Sequence, residues 1–499
     1  MRNVGLVWGM ASQPNILFIV TDQHRGDCIG ADPHAPTDVD GRSLVHTPNL
    51  DSMIPNGAMF TRAYTPSPSC IPARRSMVTG QTPFSNGAPG WVTTPWDFEH
   101  TLPRALRDAG YQTKLAGKIH SIPPRNHVGF ESMDQHEALA SHQNDDYTQW
   151  LDRETDGTVE ELSHGIGRNS WDPRPWHAEE YQHPTNWTTR RALDFLEERD
   201  ETRPFFLNLS YVRPHTPFDP PQAYWDMYVD RDIPDPYMGD WAEDVYGEKI
   251  PDYPATDAWV ADLPPTVVHR ARAAYYGLVT HIDHQIKRVF HALRVAGELE
   301  NTFVMMVSDH GEMLGDHYLW RKTYAYEGSA RVPFLLQFPE SMDVPTGRLI
   351  DRPVGLEDVM PTLLSVADVP VPDTVEGRNL VDLVRDPDRG DWREWYHGEH
   401  AAGSYDPENG TQYLVSERFK YAWNPVTDRE LLFDLASNPG EEHDLTGADD
   451  YADTLDRARA AMVDRLDGRP EGFVEDGSLV TTTAGPDDVG DPDDAESRS

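Results

Sequence analysis

The chain is predicted to be an α/β protein built on a large sheet, with a smaller α+β unit at its C-terminal end. Three observations carry this. Candidate strands recur at 15–20, 111–116, 204–212, 301–307 and 332–338, of which 15–20 is a short continuous apolar run, as expected of a strand buried on both faces. Stretches with helical periodicity fall between them. Several runs end abruptly in charged residues, which is where sites lie in open α/β sheets.

Taken in order, Asn15-Ile-Leu-Phe-Ile-Val20 is the first strand, followed at once by Thr21-Asp22-Gln23-His24-Arg25. Asp22 and Gln23 therefore stand at a strand tip, where an Asp either serves a site or caps the next helix. In Ser69-Cys70-Ile-Pro-Ala-Arg74-Arg75-Ser-Met-Val-Thr79-Gly80, Pro72 suits the first turn of a helix. Cys70 then sits at or just before a helix N-terminus, where unpaired N–H groups favour an anion. Arg74 and Arg75 follow within a turn, and a thiol so placed should be acidic and accessible. The other reading of a cysteine is a small buried hydrophobe.

Thr101 to Gly110 reads as a helix ended by glycine, and 111–116 as the next strand, ending in Gly117-Lys118-Ile119-His120. On an extended segment Lys118 and His120 would face the same way, a pair suited to an oxyanion, though either alone also reads as an ordinary lysine and a structural histidine. Residues 121–180 have little periodicity and read as a long insertion over one face of the sheet. Thr188 to Glu198 is a helix, and the strand 204–212 ends in Arg213-Pro214-His215-Thr216-Pro217, with His215 held between prolines. A long helix covers Val267 to Ala296, in which His281 and His284 read as structural. The strand 301–307 ends in Ser308-Asp309-His310-Gly311-Glu312, placing Asp309 as Asp22 is placed, and Trp320-Arg321-Lys322 follows.

After a strand at 332–338 and a helix at Glu357 to Leu364, the chain turns polar near Asp386 to Asp391. The domains expected are 12–385, a catalytic α/β unit, and 386–474, a small antiparallel sheet with one helix. Residues 475–499 are acidic and poor in large apolar groups, as a disordered tail would be. His397-Gly398-Glu399-His400 lacks metalloprotease spacing and reads as a surface turn, or as a contact reaching the site from the C-terminal unit.

Net charge is −41, from 84 acidic and 43 basic residues, which argues against nucleic acid or anionic membranes as partners. A surface this acidic resembles those of salt-loving proteins, so loss of structure is expected at low salt. Two cysteines imply no disulfide framework, and no run is long enough to cross a bilayer. Residues Met1 to Met10 make too weak a signal peptide, so a cytoplasmic location is expected.

With these stretches assembled, the chain resembles the sulfatase family of the alkaline phosphatase-like superfamily. The resemblance rests on Pro14-Asn-Ile-Leu-Phe-Ile-Val-Thr-Asp22, Thr47-Pro-Asn-Leu-Asp51, Cys70-x-Pro-x-Arg74, Gly117-Lys118-x-His120, Pro214-His215, Ser308-Asp-His-Gly-Glu312, Leu319-Trp-Arg-Lys322 and Leu432-Phe-Asp-Leu435, in family order. It implies a large mixed sheet sandwiched by helices, and a sulfuric ester hydrolase. It implies that Cys70 is converted to formylglycine by a maturation enzyme, its hydrate supplying the nucleophile. Asp22, Gln23, Asp309 and His310 would join it around one divalent cation, Ca²⁺ foremost, with Mg²⁺ or Mn²⁺ as alternatives. Arg74, Lys118, His120, His215 and Lys322 would surround the sulfate, Lys322 or His215 as general acid and His120 as base. Gln23 is similar to the choline-sulfatase-like and phosphonate-monoester-hydrolase-like branches; many sulfatases carry Asp there, and Asn in place of His310. The expected substrate is a small-molecule or carbohydrate sulfate ester; the alternatives are phosphonate monoester or phosphodiester hydrolysis and a non-catalytic anion-binding role.

Overall fold

The computed structural model describes residues 13–137, 142–403 and 408–482. Residues 1–12, with the short apolar patch considered for a signal peptide, lie outside them, as does 483–499 of the expected tail.

Eight strands form the main sheet: β1 (Asn15–Asp22), β2 (Gly57–Phe60), β3 (Gln112–Gly117), β4 (Ser132–Gln135), β5 (Phe205–Pro214), β6 (Thr302–Ser308), β7 (Phe334–Gln337) and β8 (Arg348–Ile350). Their spatial order is β4-β3-β5-β1-β6-β7-β2-β8. All neighbours run parallel except β7, which is antiparallel to both β6 and β2, so the sheet is mixed.

Strand β1 is buried along its whole length, as its unbroken apolar run requires. Alternate residues serve opposite faces. Ile16, Phe18 and Val20 join a cluster with Ile71 and Met77 of α1 (Cys70–Thr79), Leu102 and Leu106 of α2 (Leu102–Asp108), and Leu363 of the helix Val359–Val366. Leu17 and Ile19 pack on the other face with Phe195 of α3 (Pro184–Glu198) and Ile282, Ile286 and Val289 of α4 (Pro265–Ala296). A helix–sheet–helix sandwich results.

A second, antiparallel sheet follows: β9 (Tyr396–His400), β10 (Thr411–Val415), β11 (Phe419–Trp423) and β12 (Glu430–Asp434). One face packs on the helix Ala452–Leu466 through Leu414, Tyr421, Leu432 and Met462. The other meets the main body through Tyr396, Tyr413 and Phe433 against Tyr64, Trp241 and Tyr326.

Four expectations are corrected. His397–His400 is no surface turn: it is the edge strand β9, with His400 buried, because Glu399 and Ala401 donate backbone hydrogen bonds to Pro66 and Pro89 of the main body. The tail does not begin at 475, since Val474–Glu475 and Ser478–Leu479 pair as a hairpin and Leu479 packs on the C-terminal core. Residues 121–180 are not all insertion: they include β4 and a helix at Asp146–Glu154 capped by Asp145. Strand β3 stops at Gly117, so Lys118 and His120 do not share one extended segment.

Candidate active site

Four neighbouring strands, β3, β5, β1 and β6, end at the same edge of the sheet, and each delivers a polar residue there. The order along the edge is Lys118, His215, Asp22 with Gln23, and Asp309 with His310. Helix α1 starts above them with Cys70 as its first residue. Gly117 makes the corner after β3 possible: its φ is +108°, and a Cβ there would collide with the Ser210 carbonyl. That carbonyl accepts the Lys118 N–H at 3.0 Å, turning the lysine inward.

One ligand atom each from Asp22, Cys70, Asp309 and His310 lies within 4.8 Å of the others, and all four residues are buried. The Cys70 Sγ is 3.2 Å from His310 Nε2 and 3.7 Å from Asp22 Oδ1. His310 Nδ1 faces the Gly311 carbonyl at 2.9 Å and keeps its hydrogen there, so Nε2 is the atom that gives up its proton when the ring serves as a ligand. The Gln23 Nε2 donates to Glu312, while Gln23 Oε1 is buried with no hydrogen-bond partner. Two buried carboxylates, an orphaned amide oxygen and a lone-pair nitrogen suit a hard divalent cation.

A second group of residues is cationic. Lys118 Nζ is 2.5 Å from Asp22 Oδ2, and Lys322 Nζ is 3.1 Å from Cys70 Sγ and 3.1 Å from His215 Nε2. Arg74 Nε donates to Asp309 Oδ2 at 2.8 Å, and Nη1 bridges the Lys118 carbonyl and Ser210 Oγ. Arg75 does not share this role. One helical step turns it away to Thr94 and onto the faces of Trp96 and Phe98.

These neighbours set the protonation states. Burial and the Asp22 carboxylate raise the Cys70 thiol, but Lys118, Lys322 and His310 outweigh them and bring it down to about 5. The thiol is therefore acidic through these side-chain charges and not through the helix N-terminus, and it is not accessible, for Cys70 is 1% exposed. Asp22 is held well below the usual carboxylate range: burial opposes this, and the charges of Lys118, Arg74 and Lys322 overcome it. Asp309 is pushed up by burial and by Asp22. Burial and then Lys322 keep His215 neutral, and its Nδ1 faces the Thr216 carbonyl at 2.8 Å. His215 Nε2 therefore accepts from Lys322 Nζ. Burial and Lys118 bring His120 down to about 3. Its ring meets Trp91 edge-on, with centroids 5.4 Å apart.

Nine of the ten candidate residues are linked by contacts of 3.7 Å or less, while His120 touches Trp91 and Glu137 and feels the charges of Lys118, Arg74 and Asp22. The supporting residues were less visible. Glu312 orients Gln23 and accepts the N–H of Leu314; it is the last residue of the Ser308–Glu312 stretch, the signal available for it. Glu137 accepts the N–H groups of Ile119 and His120 from a region without periodicity. Arg213 clamps Asp219 through two hydrogen bonds of 2.7 and 2.8 Å, closing the turn that carries His215. Neither Glu137 nor Asp219 carries a local pattern.

Known proteins resemble the chain over most of its length. Residues 14–369 match the family model Sulfatase, and 315–467 match the model N-sulphoglucosamine sulphohydrolase, C-terminal. An arylsulfatase of Clostridium perfringens is 40% identical over 487 residues, covering 94% of this chain and 97% of the relative. The phosphonate monoester hydrolase of Agrobacterium radiobacter has a similar fold, with a TM-score of 0.73 at 24% identity, over 90% of this chain and 96% of that one. A protein solved in complex with its substrate D-glucosamine-2-N,6-O-disulfate superposes with a TM-score of 0.72 at 21% identity, over 91% and 98%.

Proposed function

The chain belongs to the sulfatase family and is a sulfuric ester hydrolase, and we propose that it acts through an oxidised Cys70 and one divalent cation. Cys70, converted to formylglycine, supplies a nucleophilic oxygen through the hydrate of its aldehyde. A cation held by Asp22, Gln23, Asp309 and His310 with residue 70 supplies Lewis acidity there, Ca²⁺ being favoured by the oxygen donors.

The chain's own groups do the rest. Arg74 and Lys118 oppose the charge of the sulfate oxygens. Lys322 holds a proton at Nζ, positioned by His215 Nε2, and gives it to the departing oxygen. His120 is neutral and takes up the proton of the remaining hydrate hydroxyl as the carbon–oxygen bond to sulfate breaks and the aldehyde re-forms. The anion's charge beside it raises its proton affinity at that stage.

The observation that carries the reading is the meeting of Cys70, Asp22, Asp309 and His310, from three separate stretches of chain, within 4.8 Å. Because Cys70 is buried, a maturation enzyme must reach it before folding is complete. Carbohydrate sulfate esters are a fitting substrate class, since a structural neighbour binds a sulfated glucosamine. The phosphonate ester reading draws on the likeness to phosphonate monoester hydrolases.

The test joins two measurements. Intact-peptide mass spectrometry should find the aldehyde at residue 70, and 4-nitrophenyl sulfate should be hydrolysed faster than a phenyl phosphonate ester. An unmodified thiol in fully active protein refutes the nucleophile, and a reversed preference assigns the enzyme to phosphonate esters.

A further inference from the structure

Of the stretch His397–His400, two members are occupied. His397 Nε2 meets Gln412 Oε1 at 2.8 Å, and Glu399 pairs with Arg469 at 2.8 Å. His400 is different. It is 1% exposed, its Nδ1 faces the Ala401 carbonyl at 3.0 Å, and its Nε2 is buried with no hydrogen-bond partner. The hydrogen therefore sits on Nδ1, and Nε2 can only accept. A buried acceptor left without a donor is costly, so a bound molecule that offers a donor there would be favoured.

The fold puts that acceptor beside the reaction centre. Strand β9 is fastened on both sides of His400: Glu399 N–H to the Pro66 carbonyl at 2.9 Å, and Ala401 N–H to the Pro89 carbonyl at 2.8 Å. Pro66 lies four residues before Cys70, and Pro89 two before Trp91, which touches His120. At the end of the sheet where His400 pairs with Thr411, Asn409 donates to Thr323 Oγ1 at 2.8 Å, next to Lys322. After burial itself, the charges that reach the His400 ring are those of His310 and Lys322.

A sulfate monoester offers only acceptor oxygens. Nothing on the sulfate can satisfy His400, so its partner has to come from the alcohol portion. We propose that His400 is a substrate-positioning residue that selects sulfate esters whose alcohol carries a hydroxyl or N–H group next to the sulfated oxygen. Vicinal diols and amino-alcohols, the chemistry of sugar rings and catechols, meet this condition. The inference rests on residue 70 being the centre of sulfate ester hydrolysis.

The test compares 2-hydroxy-4-nitrophenyl sulfate, whose free hydroxyl is meta to the nitro group and keeps its hydrogen at neutral pH, with 4-nitrophenyl sulfate in wild type, His400→Leu and His400→Gln. The ratio of their kcat/KM values cancels the intrinsic reactivity of each ester when enzymes are compared. His400→Leu should lower the ratio about tenfold, the effect of losing one hydrogen bond to a buried group, with the 4-nitrophenyl sulfate rate kept. His400→Gln, which restores an acceptor, should recover most of it. A ratio unchanged in His400→Leu, or lowered equally in both variants, overturns the proposal. Wild type alone gives a second measure: methylating the added hydroxyl must abolish the preference, and a preference that survives methylation also overturns it. If wild type hydrolyses none of these esters, the reading of residue 70 fails first and takes this inference with it.

Discussion

Lys322→Met removes the proton carrier while keeping an unbranched chain of similar reach. The structure sets the size of the effect. Lys322 Nζ lies at hydrogen-bond distance from both residue 70 and His215 Nε2, so the substitution deletes the donor and strands the buried His215 acceptor. Loss of general acid catalysis is worth on the order of 10²–10⁴ in rate. That corresponds to about 3–5 kcal/mol at 1.36 kcal/mol per decade. The loss should depend on how badly the departing oxygen needs a proton. Phenyl sulfate, with a basic leaving group, should lose about a thousandfold in kcat, and 4-nitrophenyl sulfate roughly tenfold. The assay is kcat across a series of substituted phenyl sulfates, plotted against leaving-group acidity, where the variant's line should be markedly steeper. His215→Gln should steepen the same line, and the double variant should fall short of the product of the single effects, because both act through one proton. Equal loss across the whole series would refute the assignment and leave Lys322 as a charge that holds sulfate.

Other outcomes follow from the same geometry. Cys70→Ala should abolish turnover with the thermal midpoint near that of wild type, checked by scanning calorimetry beside the assay. Dialysis against a chelator should remove activity and lower the thermal midpoint, with both restored by Ca²⁺; a midpoint indifferent to the cation argues against its binding to the folded protein. His136 is buried between Asp145 and Glu161: burial lowers its proton affinity, but the two carboxylates raise it from 6.5 to about 9. Its folded pKa being the higher, its contribution is whole below pH 6.5 and is lost as pH rises through 9, about 3 kcal/mol in all. Chemical denaturation from pH 6 to 10 should show this decline in wild type and a flatter profile in His136→Gln. With a net charge of −41, the protein should also unfold at lower temperature in dilute buffer than in molar salt, measured by circular dichroism.

The strands were legible because burial on both faces demands unbroken apolar runs, and Asn15–Asp22 and Thr302–Ser308 meet that demand. Their polar tips were legible for the same reason, since an aspartate directly after such a run stands either to serve a site or to cap the next helix. What local pattern could not convey was direction. Arg74 and Arg75 are adjacent in sequence and chemically alike, yet one reaches Asp309 and the other Thr94, a distinction made by the helix phase against the sheet. Lys118 and His120 reach the site by a different route from the one their spacing implied. Gly117 turns the chain, and His120 adopts a positive φ of 59° with its N–H held by Glu137. His397–His400 read as a turn because its glycine and polar residues hide the burial, which is conferred by long-range hydrogen bonds to Pro66 and Pro89.

The proposed chemistry and the proposed selectivity of this enzyme draw on separate parts of the fold. Strands β3, β5, β1 and β6 are consecutive in space but begin at residues 112, 205, 15 and 302. Adjacent strands stand about 4.8 Å apart, so the four tips are held in a row by backbone hydrogen bonds whatever the intervening chain does. The long connections between them, and the C-terminal sheet that brings His400, lie outside that row. A change in these parts can reshape the space around the alcohol while Asp22, Asp309, Lys118 and Lys322 keep their places. His400 follows this division. It comes from the last sheet, is fastened to the main body by backbone hydrogen bonds on either side, and presents an acceptor for which the sulfate has no use.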